Sequence, residues 1–223
     1  MPPAKKTSGG SPPELLPVDY AVLDALVEGK HATPHEVLGP HEHDGGVTIR
    51  VLRPAATTVE AVVDGEHLPL VHEYRGVWQT VLASPEVPDY RLSVSYGGDA
   101  LPADDPYRFL PTLGEVDLHL ITEGRHEQLW KVMGAHTHVY QSVNGPIHGV
   151  SFAVWAPNAL GVRVVGDFNY WDGTAHPMRS MGASGVWELF VPEIGEGTRY
   201  KFEILGRDNI RRLKADPFAA ATE

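Results

Sequence analysis

Cysteine is absent from the 223 residues. That excludes a disulfide framework and any thiolate metal site. A reducing cytoplasm fits the absence, and a cytoplasmic location is the expectation. No apolar run approaches the ~20 residues of a membrane-spanning helix. The N-terminus, MPPAKKTSGGSPPELLP, lacks the apolar stretch of a secretory signal. Basic charge is scarce as well: 18 Lys and Arg stand against 29 Asp and Glu, for a net charge of −11. This balance argues against nucleic acid and membrane as partners. Lys5 and Lys6 are too few to form a basic patch. Turn formers, in contrast, are plentiful, with 23 glycines and 19 prolines, as expected of many short strands. The length suits one or two domains and is enough to bury a core without covalent staples.

Residues 1–16 are Pro, Gly, Ser and Lys with almost nothing to bury, and are expected to form a disordered tail. Across residues 18–28, Val18, Val22, Ala25 and Leu26 recur at helical spacing and stop at Gly29, which predicts a short amphipathic helix. From Val47 the period changes to two. Val47, Ile49 and Val51 alternate with Thr48, Arg50 and Leu52. Trp78, Thr80 and Leu82 form a second such row, and Tyr90, Leu92, Val94 and Tyr96 a third. This is an antiparallel all-β pattern with one face buried.

The chain repeats itself. GGVTIRVLRPAATTVEAVVDG from Gly45 is similar to HGVSFAVWAPNALGVRVVGDF from His148, with Val47, Pro54, Val59 and Asp64 each 103 residues from their counterparts. Gly76-Val77-Trp78 matches Gly185-Val186-Trp187 at an offset of 109, Tyr90 matches Tyr200 at 110, and Asp105-Pro106 matches Asp216-Pro217 at 111. Upstream, VLGPHEH from Val37 matches VMGAHTH from Val132 at 95. A collinear series with slowly growing offsets indicates two copies of one domain. Alternating strands in two packed sheets make immunoglobulin-like β-sandwiches. The expected divisions are 1–16, 17–121 and 122–223.

The jump in offset from 103 to 109 leaves six extra residues in the second copy after Gly166-Asp167. There the sequence reads VGDFNYW at 165–171, while the first copy has Asp64-Gly65-Glu66-His67 and no Trp. Loops on a rigid scaffold are where function is added. Phe168, Tyr170 and Trp171 on a polar loop suit a stacking platform, because a ring offers apolar contact at low entropy cost. Asn169 and Asp167 could add directional hydrogen bonds. A pyranose, with an apolar CH face and a rim of hydroxyls, calls for that combination. The other reading is a tight turn in which Phe168 plugs the sandwich edge and Trp171 covers it. In the run 199–204, Tyr200, Phe202 and Ile204 share the core face, so Lys201 points outward beside Arg199 and Glu203. Lys201 could bond a hydroxyl held on the ring, or belong to an ordinary solvated face.

FAVWAPN, VVGDFNYWDG, HPM, GVWELFVP, RYKFEI and KADPFA occur in that order. The run closely resembles the glycan-binding β-sandwich module that precedes the catalytic barrel in bacterial 1,4-α-glucan (glycogen) branching enzymes. HATPHEVLGPH followed by a sandwich resembles the extra N-terminal module of the longer members. The resemblance covers about residues 18–223. It implies contact with α-glucan (glycogen, maltooligosaccharide) by Trp171 through stacking and by Lys201 through hydroxyl bonds, with Asn169 shaping the loop and Tyr170 beside it. It also implies that these modules buttress a catalytic barrel that this sequence lacks. Glycogen-sensing relatives add a Trp after the YKF strand. Here residues 206–212 carry no aromatic, which implies weaker binding.

The family's chemistry needs a nucleophilic carboxylate and a second acid/base carboxyl on a (β/α)₈ barrel. Asp104-Asp105 and Glu193 to Glu196 sit beside Pro or Gly and are expected to be turn and solvating residues, so the chain alone is expected to be inactive. His41-x-His43 and His136-x-His138 share faces but lack a third ligand, so no metal or cofactor is expected. Trp78, Trp130, Trp155 and Trp187 are expected in core or interdomain packing. Residues 116–121, from Val116 to Ile121, alternate and read as a closing strand of the first copy, whose counterpart would fall past residue 223. Two rival functions remain: a self-contained glycan-binding or regulatory protein, and a structural spacer whose ring loop packs on the barrel.

Overall fold

The computed structural model describes residues 13–44 and 46–221. Most of the expected tail, residues 1–12, lies outside them. Helix α1, Tyr20–Val27, buries Leu23, Leu26 and Val27. It ends at Gly29, which takes the left-handed φ of 62°, and the Lys30 N–H turns back to Ala25 O at 2.8 Å. A 3-10 turn, Pro34–Glu36, leads into the strands. These are β1 Gly39–His43, β2 Gly46–Leu52, β3 Thr58–Val63, β4 Glu66–Pro69, β5 Val71–Tyr74, β6 Val77–Leu82, β7 Tyr90–Ser95 and β8 Leu101–Ala103. They form two antiparallel sheets, in the orders β1-β2-β6-β5 and β4-β3-β7-β8. Val47, Ile49 and Val51 of β2 pack against Val59, Ala61, Leu92 and Val94, with Trp78 and Tyr90 in the same core. The alternation thus places its apolar row inside the sandwich.

The second half repeats this plan. Helix α2, Glu115–Thr122, and a 3-10 turn, Leu129–Lys131, precede β9 Gly134–Ser142, β10 Gly145–Trp155, β11 Gly161–Gly166, β12 Arg179–Ser180, β13 Val186–Pro192, β14 Tyr200–Leu205 and β15 Arg211–Lys214. The sheet orders are β12-β13-β10-β9 and β11-β14-β15. The fold is all-β, two tandem immunoglobulin-like sandwiches with a short N-terminal helix.

Three expectations need correction. Residues 116–121 are not a closing strand but the body of α2. A five-residue alternation also fits a helix, and Leu118 and Ile121, three apart, pack together on Met133 and Val186. The helix is α1 over again at the offset of 95: Gly124 has φ 66°, and the Arg125 N–H returns to Leu120 O at 2.8 Å. The second sandwich therefore lacks no counterpart of such a strand, and β15 closes its sheet where β8 closes the first. Leu16 is not part of a loose tail. The Leu16 N–H donates to Thr48 Oγ1 at 2.9 Å, and the Arg50 guanidinium donates to Leu16 O. The second face of β2 is buried too, and its polar side chains need these partners. The one-sided burial read from the alternation is therefore incomplete.

The halves join through a single apolar cluster that holds Leu23, Leu26, Leu38, Leu52 and Tyr107 together with Val162, Val164 and Met178. Polar bonds frame it. Arg163 Nη2 donates to Val27 O at 2.9 Å, and Arg211 donates to Glu28 O. The Ser180 N–H donates to Ala32 O at 2.7 Å. The Tyr107 hydroxyl lies 3.1 Å from the carbonyls of both Ala175 and Pro177. Arg179, bonded to buried Glu188 at 2.7 Å, also donates to Phe109 O at 3.2 Å.

Candidate glycan-binding loop

Strand β4 has no partner strand in the second sandwich. Its place beside β11 is taken by residues 167–178, which pair with β11 not as a strand but through an isolated bridge, Arg163 to Pro177, flanked by the Met178 N–H donating to Val162 O at 2.8 Å. This loop holds the six extra residues. It opens with a 3-10 turn, Asp167–Asn169, and then Tyr170 and Trp171 adopt left-handed φ values of 53° and 64°. Such backbone is costly for non-glycine residues and persists where surrounding bonds hold it. Here those bonds are identifiable. The Trp171 N–H donates to Gly166 O at 2.9 Å, and the Asp172 N–H donates to Asn169 O at 2.9 Å. Gly173 lies flat on β11, where a Cβ would come within 2.8 Å of Arg163 Cβ and 2.9 Å of Val165 Cγ1.

Asn169 is spent on the loop. Its Oδ1 accepts from Gly166 N at 2.9 Å, and its Nδ2 donates to Val164 O at 3.0 Å and meets His176 Nδ1 at 3.1 Å. It shapes the turn, with its amide committed inward. Phe168 plugs the sandwich edge, stacked on Phe152 at 5.9 Å and edge-on to His176 at 5.4 Å. The two readings of the ring cluster thus divide between residues: Phe168 is packing, while Tyr170 is 93% exposed and Trp171 42% exposed. The Trp171 Nε1–H donates to Asp167 Oδ1 at 3.1 Å, and Arg199 donates from Nε to Asp167 Oδ2 at 2.9 Å. The Arg199 guanidinium holds the Asp167 carboxyl below the usual carboxylate range. Burial, with Arg53 facing it, pushes His176 down to about 3, so its ring stays neutral beneath the loop.

Lys201 lies on β14 opposite Val165, next to the Gly166–Tyr200 pair from which the loop springs. Its side chain is exposed between two satisfied ion pairs. Arg199 holds Asp167 on one side, while Arg163 and Arg211 hold Glu203 on the other, at 3.4 and 3.2 Å. No bond is recorded for Lys201 among the described residues, which leaves three ammonium donors facing solvent beside the ring loop. The outer row therefore carries a braced indole, an exposed phenol and an unpaired ammonium. That set can stack on an apolar ring face and bond its rim hydroxyls. Asp167, expected to add directional hydrogen bonds to a sugar, instead accepts from Trp171 and Arg199 and braces the indole. Arg199 and His176, the other two supports, were missed, since their roles depend on strand register and not on local spacing.

The turn at 206–212 is held by Arg212 and Asp208, 2.6 Å apart, and has no second ring. His41 and His136 each bond a preceding carbonyl, Leu38 O at 3.2 Å and Met133 O at 2.9 Å. No cluster of three or more metal-ligating side chains occurs among the described residues. Asp104 and Asp105 are not solvating residues. Both are buried, and Asp105 caps the Tyr107 N–H at 3.0 Å and takes the Tyr90 hydroxyl at 2.6 Å. Burial pushes the Asp105 carboxyl above the usual carboxylate range, and these two donors satisfy its oxygens inside. Trp78 and Trp187 are core residues, whereas Trp130 and Trp155 lie open, at 60% and 61%.

Comparison with known proteins fits this layout. Residues 19–107 match the alpha-1,4-glucan branching enzyme GlgB N-terminal domain, and residues 132–219 match carbohydrate-binding module 48, the isoamylase N-terminal domain. The chain is 57% identical over 205 residues to a 1,4-alpha-glucan branching enzyme GlgB of Thermobifida fusca, covering 91% of this chain and 27% of that protein. It is 52% identical to the GlgB of Rhodococcus jostii, covering 95% and 29%, and 53% identical to GlgB 2 of Streptomyces coelicolor, covering 100% and 29%. It thus spans somewhat over a quarter of the length of the curated relatives it matches. By these matches and by its two tandem sandwiches, the chain belongs to the GlgB branching-enzyme family, as its N-terminal domain followed by its carbohydrate-binding module 48.

Proposed function

We propose that the chain is the non-catalytic N-terminal part of a cytoplasmic 1,4-alpha-glucan branching enzyme, which forms α-1,6 branches in glycogen. In this reading the second sandwich binds and orients α-glucan at the outer row of β11 and β14. Trp171 stacks on a glucose ring, Lys201 donates to hydroxyls, and Tyr170 flanks the chain. Asn169 acts indirectly by setting the turn. The observation that carries the reading is the indole N–H of Trp171 bonded to a clamped Asp167 while the ring stays partly open. A ring held this way loses little freedom on binding.

Titration of the chain with maltoheptaose, followed by Trp fluorescence, tests the proposal. Saturable quenching that Trp171→Ala abolishes is the expected result. Quenching that persists unchanged in that variant would move the site elsewhere, and no saturable response would favour a structural spacer.

A further inference from the structure

The internal repeat lets one sandwich report on the other. One face of the first sandwich is covered by the second. Leu38, Leu52 and Tyr107 are buried there in the joint cluster, and the His35 ring packs edge-on to Tyr107 at 5.0 Å. Under the offsets of 95, 103 and 111, the counterparts of His35, Leu52 and Tyr107 are Trp130, Trp155 and Phe218. These three are open, Phe218 at 37% and both tryptophans at about three-fifths. Helix α1 buries three residues while its counterpart α2 buries none. Beside two of them, Trp155 and Phe218, lies a largely apolar cavity of about 280 Å³, lined also by Ile121, Leu129 and Met133. Trp155 and Phe218 line this cavity and Trp130 stands open next to its Leu129 wall, which exceeds the scattered apolar exposure normal for a surface.

We propose that this face, made by α2, the Leu129–Lys131 turn, Trp155 and Phe218, is the seat of the folded body that follows these modules in a chain of GlgB length. That body would dock as the second sandwich docks on the first. The proposal rests on reading the chain as part of a longer branching enzyme. Two observations select this occupant. In the first sandwich the cover is the unit that comes next in sequence, entered at Glu115 soon after buried Tyr107. Phe218 holds the Tyr107 position, so the polypeptide leaves the second sandwich on this same face. The relatives are also long enough to supply the body, since this chain covers 27–29% of them.

Side-chain chemistry describes what the occupant must offer. The Tyr107 hydroxyl takes two carbonyls of its cover, but Phe218 has no hydroxyl, so the matching patch of the occupant is apolar. Trp155 can be buried as it stands, because its Nε1–H already donates to Ser184 O at 3.1 Å. Trp130 replaces His35 with an indole, whose N–H needs one acceptor from the occupant when covered.

Hydroxyl-radical footprinting of this chain and of a GlgB-length chain, read by mass spectrometry, tests the proposal. Oxidation of Trp130, Trp155 and Phe218 should be at least tenfold slower in the longer chain, while Tyr170 and Trp171 stay reactive in both. Equal reactivity of the three rings in both chains would overturn it. So would their protection in the short chain by self-association or by maltoheptaose, since either would name a different occupant. Adding maltoheptaose checks the glycan reading separately: failure to protect Trp171 counts against the sugar site and leaves the docking result intact.

Discussion

The indole N–H of Trp171 is bonded to Asp167 Oδ1 at 3.1 Å, and Arg199 grips the same carboxylate through Nε at 2.9 Å and Nη2 at 3.2 Å. The ring is therefore oriented from its polar edge, by a carboxylate at the base of its own loop, while it stays 42% exposed. This lets the loop keep an apolar surface in water without letting it wander. It also separates two kinds of residue: those that would touch a sugar, and those that hold the ring still.

Trp171→Ala removes the surface itself. An aromatic anchor of this kind is worth on the order of 2 kcal/mol, or roughly 30-fold in affinity. Maltoheptaose affinity measured by calorimetry should fall by about that much with the melting temperature nearly unchanged, because the core ring of the loop is Phe168. Asp167→Ala leaves the ring but frees it, and should cost a smaller factor, about threefold to tenfold. If Asp167→Ala binds as well as the parent chain, the brace has no part in recognition.

Lys201→Ala and Asn169→Ala should differ in kind. Lys201 makes no recorded bond within the described protein, so its loss should weaken glycan binding and leave stability within about 0.5 kcal/mol. Asn169 joins Gly166, Val164 and His176, so its loss should lower stability by about 1–3 kcal/mol and weaken binding through the loop. Urea midpoints measured beside affinities would expose a reversal of the two.

Two half-buried histidines contribute to the response to acid. Burial holds His35 at about 3, with Arg179 facing it, and His176 at about 3, with Arg53 facing it. Both values lie below the ordinary range near 6.5 of an unfolded chain. Above pH 6.5 the neutral rings fit both states and their contribution is complete. Below it the unfolded chain binds protons that the folded chain refuses, so stability falls steadily down to about pH 3. Both ring nitrogens of His35 lack a partner, so His35→Phe loses no hydrogen bond. It should flatten the stability slope between pH 6 and 4, measured by urea midpoints. An unchanged slope would mean that His35 is not held neutral.

The chain alone should leave the amylose–iodine complex unchanged at any pH. The paired carboxylates Asp104 and Asp105 are buried and Asp105 is committed to Tyr90 and a turn cap, which leaves no open acid and nucleophile pair there. A change in iodine colour with amylase-free protein would contradict this.

The repeat, the all-β class and the aromatic insertion were all legible in the sequence, because offsets and period-two rows follow directly from strand geometry. The helix α2 was not read, although the offset of 95 between Val37 and Val132 also lays residues 115–122 over 20–27. A short apolar run satisfies both the strand and the helix period, so spacing alone does not separate them. Within the site, Trp171 and Lys201 were visible as residue types at the right positions. The Asp167–Arg199 brace and the His176 anchor were not, since they join residues 32 and 7 positions apart through a loop whose path no local pattern specifies. Trp130 and Trp155 looked like packing residues, and whether such a ring is covered depends on what surrounds the segment.

The apolar cluster that runs through both sandwiches carries the last prediction. Two modules joined by a linker would melt separately, and a truncated second one would melt first. The structure instead gives one cluster shared by α1, Leu52, Tyr107 and the core of the second sandwich, sealed where Gly161 meets Gly29. A Cβ on Gly161 would lie 1.9 Å from Gly29 O, a backbone atom that cannot swing aside. The parent chain should therefore show a single calorimetric transition whose calorimetric and van't Hoff enthalpies agree. Gly161→Ala should force the junction apart, lowering the transition by several degrees, at about 2–4 °C per kcal/mol for this size, and broadening or splitting it. Two resolved transitions in the parent chain, or a Gly161→Ala variant that melts like it, would show that the two sandwiches are energetically independent.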